Sequence, residues 1–210
     1  MKVNSLVIII IVSVFSFGLF GFNNSKKISN TTNTISYSKS QKEIDKKEIG
    51  NMIKLAYYWI YLEGESSLDF DAAAIVDEND SIMKFDDVKF KLIIEKLRKS
   101  NYFSHEFIDN YWKDYEYIKK SFNHKNLFDI WSKYDVNKWC ICQERPTEKC
   151  YYMHVMDFEF FSINKNSASL VWNWNKANYS NHLYKVRVVK ENGVWKISYL
   201  EGFDKKYFSD

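Results

Sequence analysis

The segment from residue 182 to residue 203 reads HLYKVRVVKENGVWKISYLEGF and contains the clearest structural signal in the chain. Apolar and polar residues alternate on both sides of Glu191-Asn192-Gly193, as they do in half-buried β-strands. Asn-Gly accepts the positive φ angles of a two-residue turn. The segment therefore predicts a hairpin of strands 182–190 and 194–203. One face of the first strand is predicted to carry Tyr184, Val186 and Val188, and one face of the second to carry Trp195, Ile197, Tyr199 and Phe203.

The chain before this hairpin changes from helical to strand periodicity. Residues 151–162 and 169–175 are rich in aromatic and β-branched residues and predict two further strands. Apolar spacings of three and four predict helices over 42–62, 87–99 and 106–122, with Asp86 and Ser104 as N-caps of the last two. The predicted buried positions are Ile44, Glu48, Met52, Leu55, Tyr58 or Trp59, and Leu62 in the first helix; Val88, Leu92, Ile93, Glu95 and Leu97 in the second; and Phe107, Tyr111, Tyr115, Ile118 and Phe122 in the third.

Helices followed by an antiparallel meander predict an α+β domain over residues 41–210, with N-terminal helices packed on one face of a curved antiparallel sheet. Residues 69–80 are expected to be irregular. The aromatic content of 18% supplies enough large rings to build a substantial core for a chain of 210 residues.

The first 22 residues predict a signal peptide or a membrane anchor. Lys2 precedes an apolar run from Leu6 to Phe22, and Ser16-Phe17-Gly18 offers small residues where a signal peptidase cleaves. The run is at the lower limit of length for an uncleaved span. Residues 23–40 are mostly Asn, Ser, Thr and Lys, which is typical of a flexible polar tether. An exported, periplasmic or extracellular domain is therefore expected, with membrane contact only through an uncleaved N-terminal segment.

The charge of the chain and the motifs that it lacks argue against several classes of function. The net charge is +3 and the basic residues are interspersed with acidic ones, which does not favour nucleic-acid binding. The sequence contains no glycine-rich phosphate loop, serine-nucleophile elbow or metalloprotease helix motif, so it predicts no cofactor and no particular enzymatic reaction.

The last two strands carry a resemblance to a known family. Tyr184 to Val189, the Asn192-Gly193 turn, and Val-Trp-Lys-Ile-Ser from Val194 with Gly202 beyond it resemble the final hairpin of the nuclear-transport-factor-2-like, cystatin-like α+β cone. The junction from Leu97 to Ile108 is similar to one in bacterial envelope proteins of the YbjP/YqhG group. The resemblance implies a cone-shaped sheet and an exported location. No cysteine lies near the end of the apolar run, which departs from the lipoprotein members with their lipid-attachment cysteine.

Three cysteines lie close together at Cys140, Cys142 and Cys150. In an exported chain they are disulfide candidates, with Cys150 joined to Cys140 or Cys142. Together with His154 they also have the residue types of a zinc site, although the C-x-C spacing is unusual for one. A reactive thiol and inert reduced cysteines are the remaining alternatives.

Two sets of side chains in the predicted strands are candidate ligand contacts. Asp157 and Glu159 lie two apart and share a sheet face, where Arg187 of another strand could join them in acid-base chemistry or simply in cross-strand pairing. His154 belongs to the opposite face, as a core or pocket-wall residue. Trp172 and Trp174 share a face and either line a pocket or belong to the core. The helix over 106–122 is interpreted as a packed helix with a solvated face.

These observations leave three functional hypotheses. The first is a non-catalytic binding or interaction domain of the cell envelope, with a protein or small-molecule partner. The second is an immunity-type protein or inhibitor that neutralises a protein toxin. The third is a small-molecule-binding cone or enzyme with a sheet pocket, for which Asp157, Glu159 and His154 are the first candidate residues.

Overall fold

The computed structural model describes residues 37–76, 83–122, 138–139, 156–173 and 183–204. The fold is α+β, as predicted, with helices packed on a four-stranded antiparallel sheet. The elements are α1 (Lys39–Glu63), two 3-10 turns (Glu65–Leu68 and Phe70–Ala73), β1 (Ala74–Val76), β2 (Met83–Phe85), α2 (Asp87–Ser100), α3 (His105–Phe122), β3 (Asp157–Ile163), β4 (Ser167–Asn173), β5 (Tyr184–Glu191), β6 (Val194–Leu200) and a last 3-10 turn (Glu201–Phe203).

The sheet is a meander in the order β3-β4-β5-β6, with all neighbours antiparallel. The predicted hairpin is confirmed: Glu191 pairs with Val194, and Asn192 and Gly193 have φ angles of 52° and 81°. The region expected to be irregular contains strand β1, which pairs antiparallel with β2 just beyond that region in a separate two-stranded sheet. Its strands have three residues each, which is too short for an alternating pattern to be recognised in the sequence.

Each of the two outermost strands carries a bulge. In β3 the extra residue is Phe161, and in β6 it is Ser198, because Arg187 pairs with Tyr199 while Val188 pairs with Ile197. One inserted residue reverses the side-chain alternation of the rest of a strand and bends it. Tyr199 therefore lies opposite Arg187 on the outer face, and the prediction that it shares a face with Trp195 and Ile197 was wrong.

Helix α1 contacts both outermost strands, β3 and β6, across the sheet. Its buried face is offset by one residue from the predicted one: Ile44, Leu55 and Leu62 are exposed, and so is Glu48. The sequence pattern failed because the buried face contains a charged residue and small ones, which apolar periodicity discounts. The residues of this face are Asp45, Ile49, Gly50, Ile53, Ala56, Tyr57 and Ile60.

Helices α2 and α3 begin at the predicted caps. The Asp86 carboxylate accepts hydrogen bonds from the N–H groups of Val88 and Lys89, and Ser104 Oγ accepts one from the N–H of Phe107. The predicted α3 face is confirmed at its described positions, Phe107, Tyr111, Tyr115 and Ile118. In α2, Ile93 and Leu97 are buried as predicted, together with Phe90 and Ile94, but Val88, Leu92 and Glu95 are exposed, so this part of the prediction was wrong.

The junction between α2 and α3 docks on the free side of β6. The Ile197 N–H donates to the Tyr102 carbonyl at 2.8 Å, and the Ser104 N–H donates to the Ile197 carbonyl at 2.8 Å. Phe103 thereby forms a parallel bridge with Ile197. These bonds satisfy backbone groups of β6 that would otherwise form an open sheet edge. They also fix where α3 starts relative to the sheet.

A buried carboxylate connects α1 to the β5–β6 hairpin. Asp45 is 1% exposed and accepts hydrogen bonds from Tyr37 and Gln41 on its own side. From the hairpin, Lys190 Nζ and Trp195 Nε1 donate to Asp45 Oδ1, each at 3.3 Å. Burial alone would raise the pKa of Asp45, but the hydrogen bonds from Tyr37, Trp195, Lys190 and Gln41 together hold it below its usual value.

Asp45→Asn is expected to lower the unfolding free energy by about 2 kcal/mol at neutral pH, because the charge that pairs with Lys190 is lost. A lowered folded-state pKa adds stability above the unfolded value of about 4, and this contribution disappears as the pH falls through the folded-state pKa. Urea unfolding at several pH values should therefore show the largest difference between the two proteins near pH 7 and a smaller one below about pH 4. Glu48→Gln, on the exposed side of α1, is the matched control. If Asp45→Asn lowers the unfolding free energy equally at low and neutral pH, the conclusion that Asp45 stabilises the fold in its ionised form is contradicted.

The turn after β6 is held against Lys138 and Trp139. The Tyr184 hydroxyl donates to the Lys138 carbonyl at 2.7 Å and accepts from the Gly202 N–H at 3.0 Å. The Tyr57 hydroxyl donates to the Trp139 carbonyl at 2.7 Å. A Cβ atom at position 202 would lie 1.8 Å from the Lys138 carbonyl oxygen, so this close approach requires glycine.

Gly202→Ala should reduce the unfolding free energy by about 3 kcal/mol or more, since the backbone of Lys138 or of the turn must move to make room. Denaturant unfolding followed by tryptophan fluorescence measures the change. Gly193→Ala is the control, because a Cβ there meets no atom within 4 Å and only the positive φ disfavours alanine, by about 1–2 kcal/mol. Equal losses in the two variants would show that the contact with Lys138 is not tight.

Candidate functional site

A small, partly open pocket lies between α3 and the end of β6. Its volume is about 40 Å³. We call it the α3–β6 pocket. Helix α3 lines it with Phe107, Asn110, Tyr111 and Asp114, and β6 with the turn that follows lines it with Ser198, Tyr199, Leu200 and Phe203.

The four α3 residues share one helix face because their spacings are three, four and seven. The Ser104 cap and its backbone bond to Ile197 place the first turn of this face beside β6. Tyr111 is held further by a hydrogen bond from its hydroxyl to the Leu68 carbonyl, and its ring centroid lies 4.5 Å from that of Phe70. The helical wall of the pocket is therefore part of the packed core.

The strand wall depends on the bulge at Ser198. Because the bulge brings Tyr199 to the outer face, its hydroxyl reaches Asp204 Oδ2 at 3.2 Å, and the Arg187 guanidinium lies 4.7 Å from its ring centroid. Phe203 closes the end of the pocket, with its ring 5.2 Å from that of Tyr111 and 4.6 Å from that of Trp139.

Among the residues that the structure describes, three carboxylates lie in or beside the pocket, those of Asp114, Glu201 and Asp204. Asp114 is only 4% exposed, and Glu201, one residue beyond Leu200, is 2% exposed and accepts a hydrogen bond from the Lys185 N–H at 3.1 Å. Burial raises the pKa of Tyr199 first, the charge and hydrogen bond of Asp204 raise it further, and Glu201 adds to the effect while Arg187 opposes it. Burial and the Asp204 carboxylate therefore both disfavour ionisation of the Tyr199 hydroxyl.

The pocket combines apolar walls with a few polar groups. Aromatic rings and one buried carboxylate surround a space that opens to solvent, which is the composition of many small binding sites. The sequence pattern of this helix predicts a packed helix with a solvated face. The residue that could have indicated a site is Asp114, a carboxylate that falls on the same stripe as Phe107 and Tyr111.

The structure does not bring together the polar residues that the sequence singled out. Asp157 and Glu159 both project from the outer face of β3 and are exposed, as their spacing predicts. Arg187 lies two strands away on β5, opposite Ser169 of β4, and stacks on Tyr199. The β5 residue in register with Glu159 across β4 is Lys185.

Trp172 lies in the core. It is fully buried, and its ring centroid is 5.5 Å from that of Tyr57 and 5.1 Å from that of Tyr184. The remaining predicted positions lie outside the described residues: Trp174, His154, and the disulfide candidates Cys140, Cys142 and Cys150, as do residues 1–36 with the predicted signal segment.

Two features are absent from the described part of the chain. No group of three His, Cys, Asp or Glu side chains there is placed to hold a metal ion. None of the helices in the same ranges combines the length and the apolar character needed to cross a bilayer.

Comparison with known proteins gave no match: no protein-family model, no curated protein and no solved structure is significantly similar to this chain.

Trp172→Phe is expected to lower the unfolding free energy by about 1–2 kcal/mol, because a smaller ring leaves part of a packed core site empty. Asp157→Asn and Glu159→Gln, both on the exposed face, should change it by less than about 0.5 kcal/mol. Urea unfolding of the three variants measures this contrast. A Trp172→Phe protein as stable as the original chain would indicate that this ring does not belong to the core.

Proposed function

We propose that this chain is an exported cell-envelope protein whose domain is a non-catalytic binding module, and that the α3–β6 pocket is its binding site. The observation that carries the proposal is the pocket itself, in which the buried Asp114 lies among aromatic rings beside open solvent. Pockets that combine apolar walls with a few fixed polar groups are typical binding sites.

Export is supported by the sequence of the amino end. A positive residue, an apolar run and small residues precede a polar tether, and this order is typical of secreted and anchored proteins. A partner in the envelope would meet the domain after export.

We also propose that the domain is a cystatin-like cone of the nuclear-transport-factor-2-like type. Three features support it: the helices precede the strands, the sheet is a four-stranded meander, and bulges at Phe161 and Ser198 bend its two outermost strands. In such a cone the space between a helix and the curved sheet is where a ligand binds.

A second candidate function is neutralisation of a basic protein toxin. The observation that favours it is the outer face of β3, where Asp157 and Glu159 are exposed side by side and Phe161 is 63% exposed. Acidic and aromatic side chains of this kind complement a basic partner surface. This hypothesis places the contact on the outer face of β3 rather than in the α3–β6 pocket.

A photo-crosslinking amino acid at Asn110 should capture one specific partner in the native host, because Asn110 is exposed and lines the pocket mouth. The same amino acid at Glu159 tests the second candidate, and Lys165, exposed in the turn between β3 and β4, is the control position. Mass spectrometry of the crosslinked species identifies the partner and its compartment.

Capture at Asn110 alone supports the proposed pocket, whereas capture at Glu159 alone supports the toxin hypothesis. Equal yields at all three positions, or a cytoplasmic partner, would contradict the proposal.

A further inference from the structure

The solvent-facing side of α2 concentrates positive charge. Between Asp87 and Ser100 the helix has five basic residues and two acidic ones, Asp87 and Glu95, and all seven are exposed. Its net charge of +3 equals that of the whole chain of 210 residues. The five basic residues are Lys89, Lys91, Lys96, Arg98 and Lys99.

Ion pairs neutralise only part of this charge. Among the described residues, no carboxylate forms an ion pair with the side chain of Lys89, Lys91 or Arg98, although Lys91 attracts the Asp87 carboxylate through space. The pairs that do involve the helix are Asp87–Lys119 at 2.7 Å, Lys96–Glu63 at 3.0 Å and Lys99–Glu95 at 3.9 Å. Three exposed cations are therefore available to an anionic partner.

Two aliphatic side chains project from the same side of the helix. Val88 is 69% exposed and Leu92 is 56% exposed. They are four residues apart, so they lie on one side of α2, opposite its buried face. That buried face consists of Phe90, Ile93, Ile94 and Leu97. A flat surface that approaches α2 from solvent would therefore contact Val88 and Leu92 first.

Basic residues flank these two side chains on both sides. Lys91 and Arg98 are seven residues apart and form a row on one side, and Lys89 and Lys96, also seven apart, form a row on the other. Long Lys and Arg side chains can lay their methylene groups along an apolar surface while their charged ends reach the polar groups beside it. We call the five basic residues of α2, together with Val88 and Leu92, the α2 basic face.

The expected N-terminal membrane segment would keep this face close to lipid. Residues 23–38 separate residues 1–22 from the start of α1 at Lys39. A stretch of this length spans at most about 55 Å. An uncleaved segment in a bilayer would therefore hold the domain within that distance of the head groups, where even weak contacts with lipid become intramolecular.

We propose that the α2 basic face binds an anionic lipid surface, with its cations on the lipid phosphates and with Val88 and Leu92 among the head groups. An acidic protein would attract the same cations, but it would need cavities shaped for the two aliphatic side chains, whereas a bilayer accepts them without a fixed shape. The contact is separate from the α3–β6 pocket, so it goes beyond the proposed binding function. It also adds to the membrane contact expected from residues 1–22.

The test places the full chain in vesicles of phosphatidylcholine alone or of phosphatidylcholine mixed with phosphatidylglycerol. A photo-crosslinking amino acid replaces Leu92, or replaces Leu62, which is 57% exposed on α1 and is the matched control. In the anionic vesicles we expect at least about fivefold more lipid adduct at position 92 than at position 62, because each basic residue near an anionic surface favours contact by about that factor. Salt at about 0.5 M should remove the difference, since it screens the attraction. Equal yields at the two positions, or at position 92 in the two kinds of vesicle, would overturn the proposal.

Two double variants locate the contact. Lys91→Gln with Arg98→Gln removes one basic row from exposed positions and should lower the equilibrium constant for lipid contact about thirtyfold, which brings the adduct yield at position 92 down to that at position 62. Lys47→Gln with Lys165→Gln removes the same charge from other exposed positions and should leave the yield unchanged. An unchanged yield in the first variant, or an equal fall in both, would show that α2 does not direct the contact and would overturn the proposal.

The same crosslinker at position 92 in the native host distinguishes lipid from protein. Adducts with phospholipid support the proposal, whereas capture of a protein in place of lipid would overturn it in favour of an acidic protein partner. Neither result changes the meaning of capture at Asn110. If position 92 gives no lipid adduct and Asn110 still captures a partner, the lipid proposal fails and the proposed binding function stands.

Discussion

The backbone hydrogen bonds between the α2–α3 junction and Ile197 set the geometry on which the rest of the domain depends. The Ser104 N–H donates to Ile197, and the Ser104 hydroxyl caps α3, so one fully buried serine both covers the side of β6 and starts the helix that faces it. Without this connection α3 would have no fixed register along β6. The pocket exists because a helix face and a bulged strand are held side by side at this point.

Buried polar contacts join parts of the fold that are far apart in sequence. Asp45 connects the beginning of α1 to Lys190 and Trp195, and Tyr184 connects β5 to the backbone of Lys138 and Gly202. Removing either partner of one of these hydrogen bonds would leave a buried polar group unsatisfied. These contacts therefore favour the observed fold over other compact arrangements of the chain that bury a similar apolar area. The turn that carries Phe203 is fixed in this way, and with it one end of the pocket.

Local signals made the α+β class, the final hairpin and two helix caps predictable, because Asn192-Gly193, Asp86 and Ser104 act within a few residues of the chain. The buried faces of α1 and α2 were partly mispredicted. Apolar spacing cannot identify a buried face that includes Asp45, since two of its four hydrogen-bond donors, Lys190 and Trp195, come from strands about 150 residues later. The outward position of Tyr199 depends on a bulge that no local pattern shows. The candidate site was missed for the same reason, because α3 and β6 meet only in the folded chain.

The most direct test is a crystal structure of the domain. We expect the Ser104 N–H to donate to the Ile197 carbonyl and the α3–β6 pocket to be lined by Phe107, Asp114, Tyr199 and Phe203. A structure in which Ser104 does not bond to Ile197, with α3 displaced along β6 and the pocket closed by neighbouring side chains, would contradict this account.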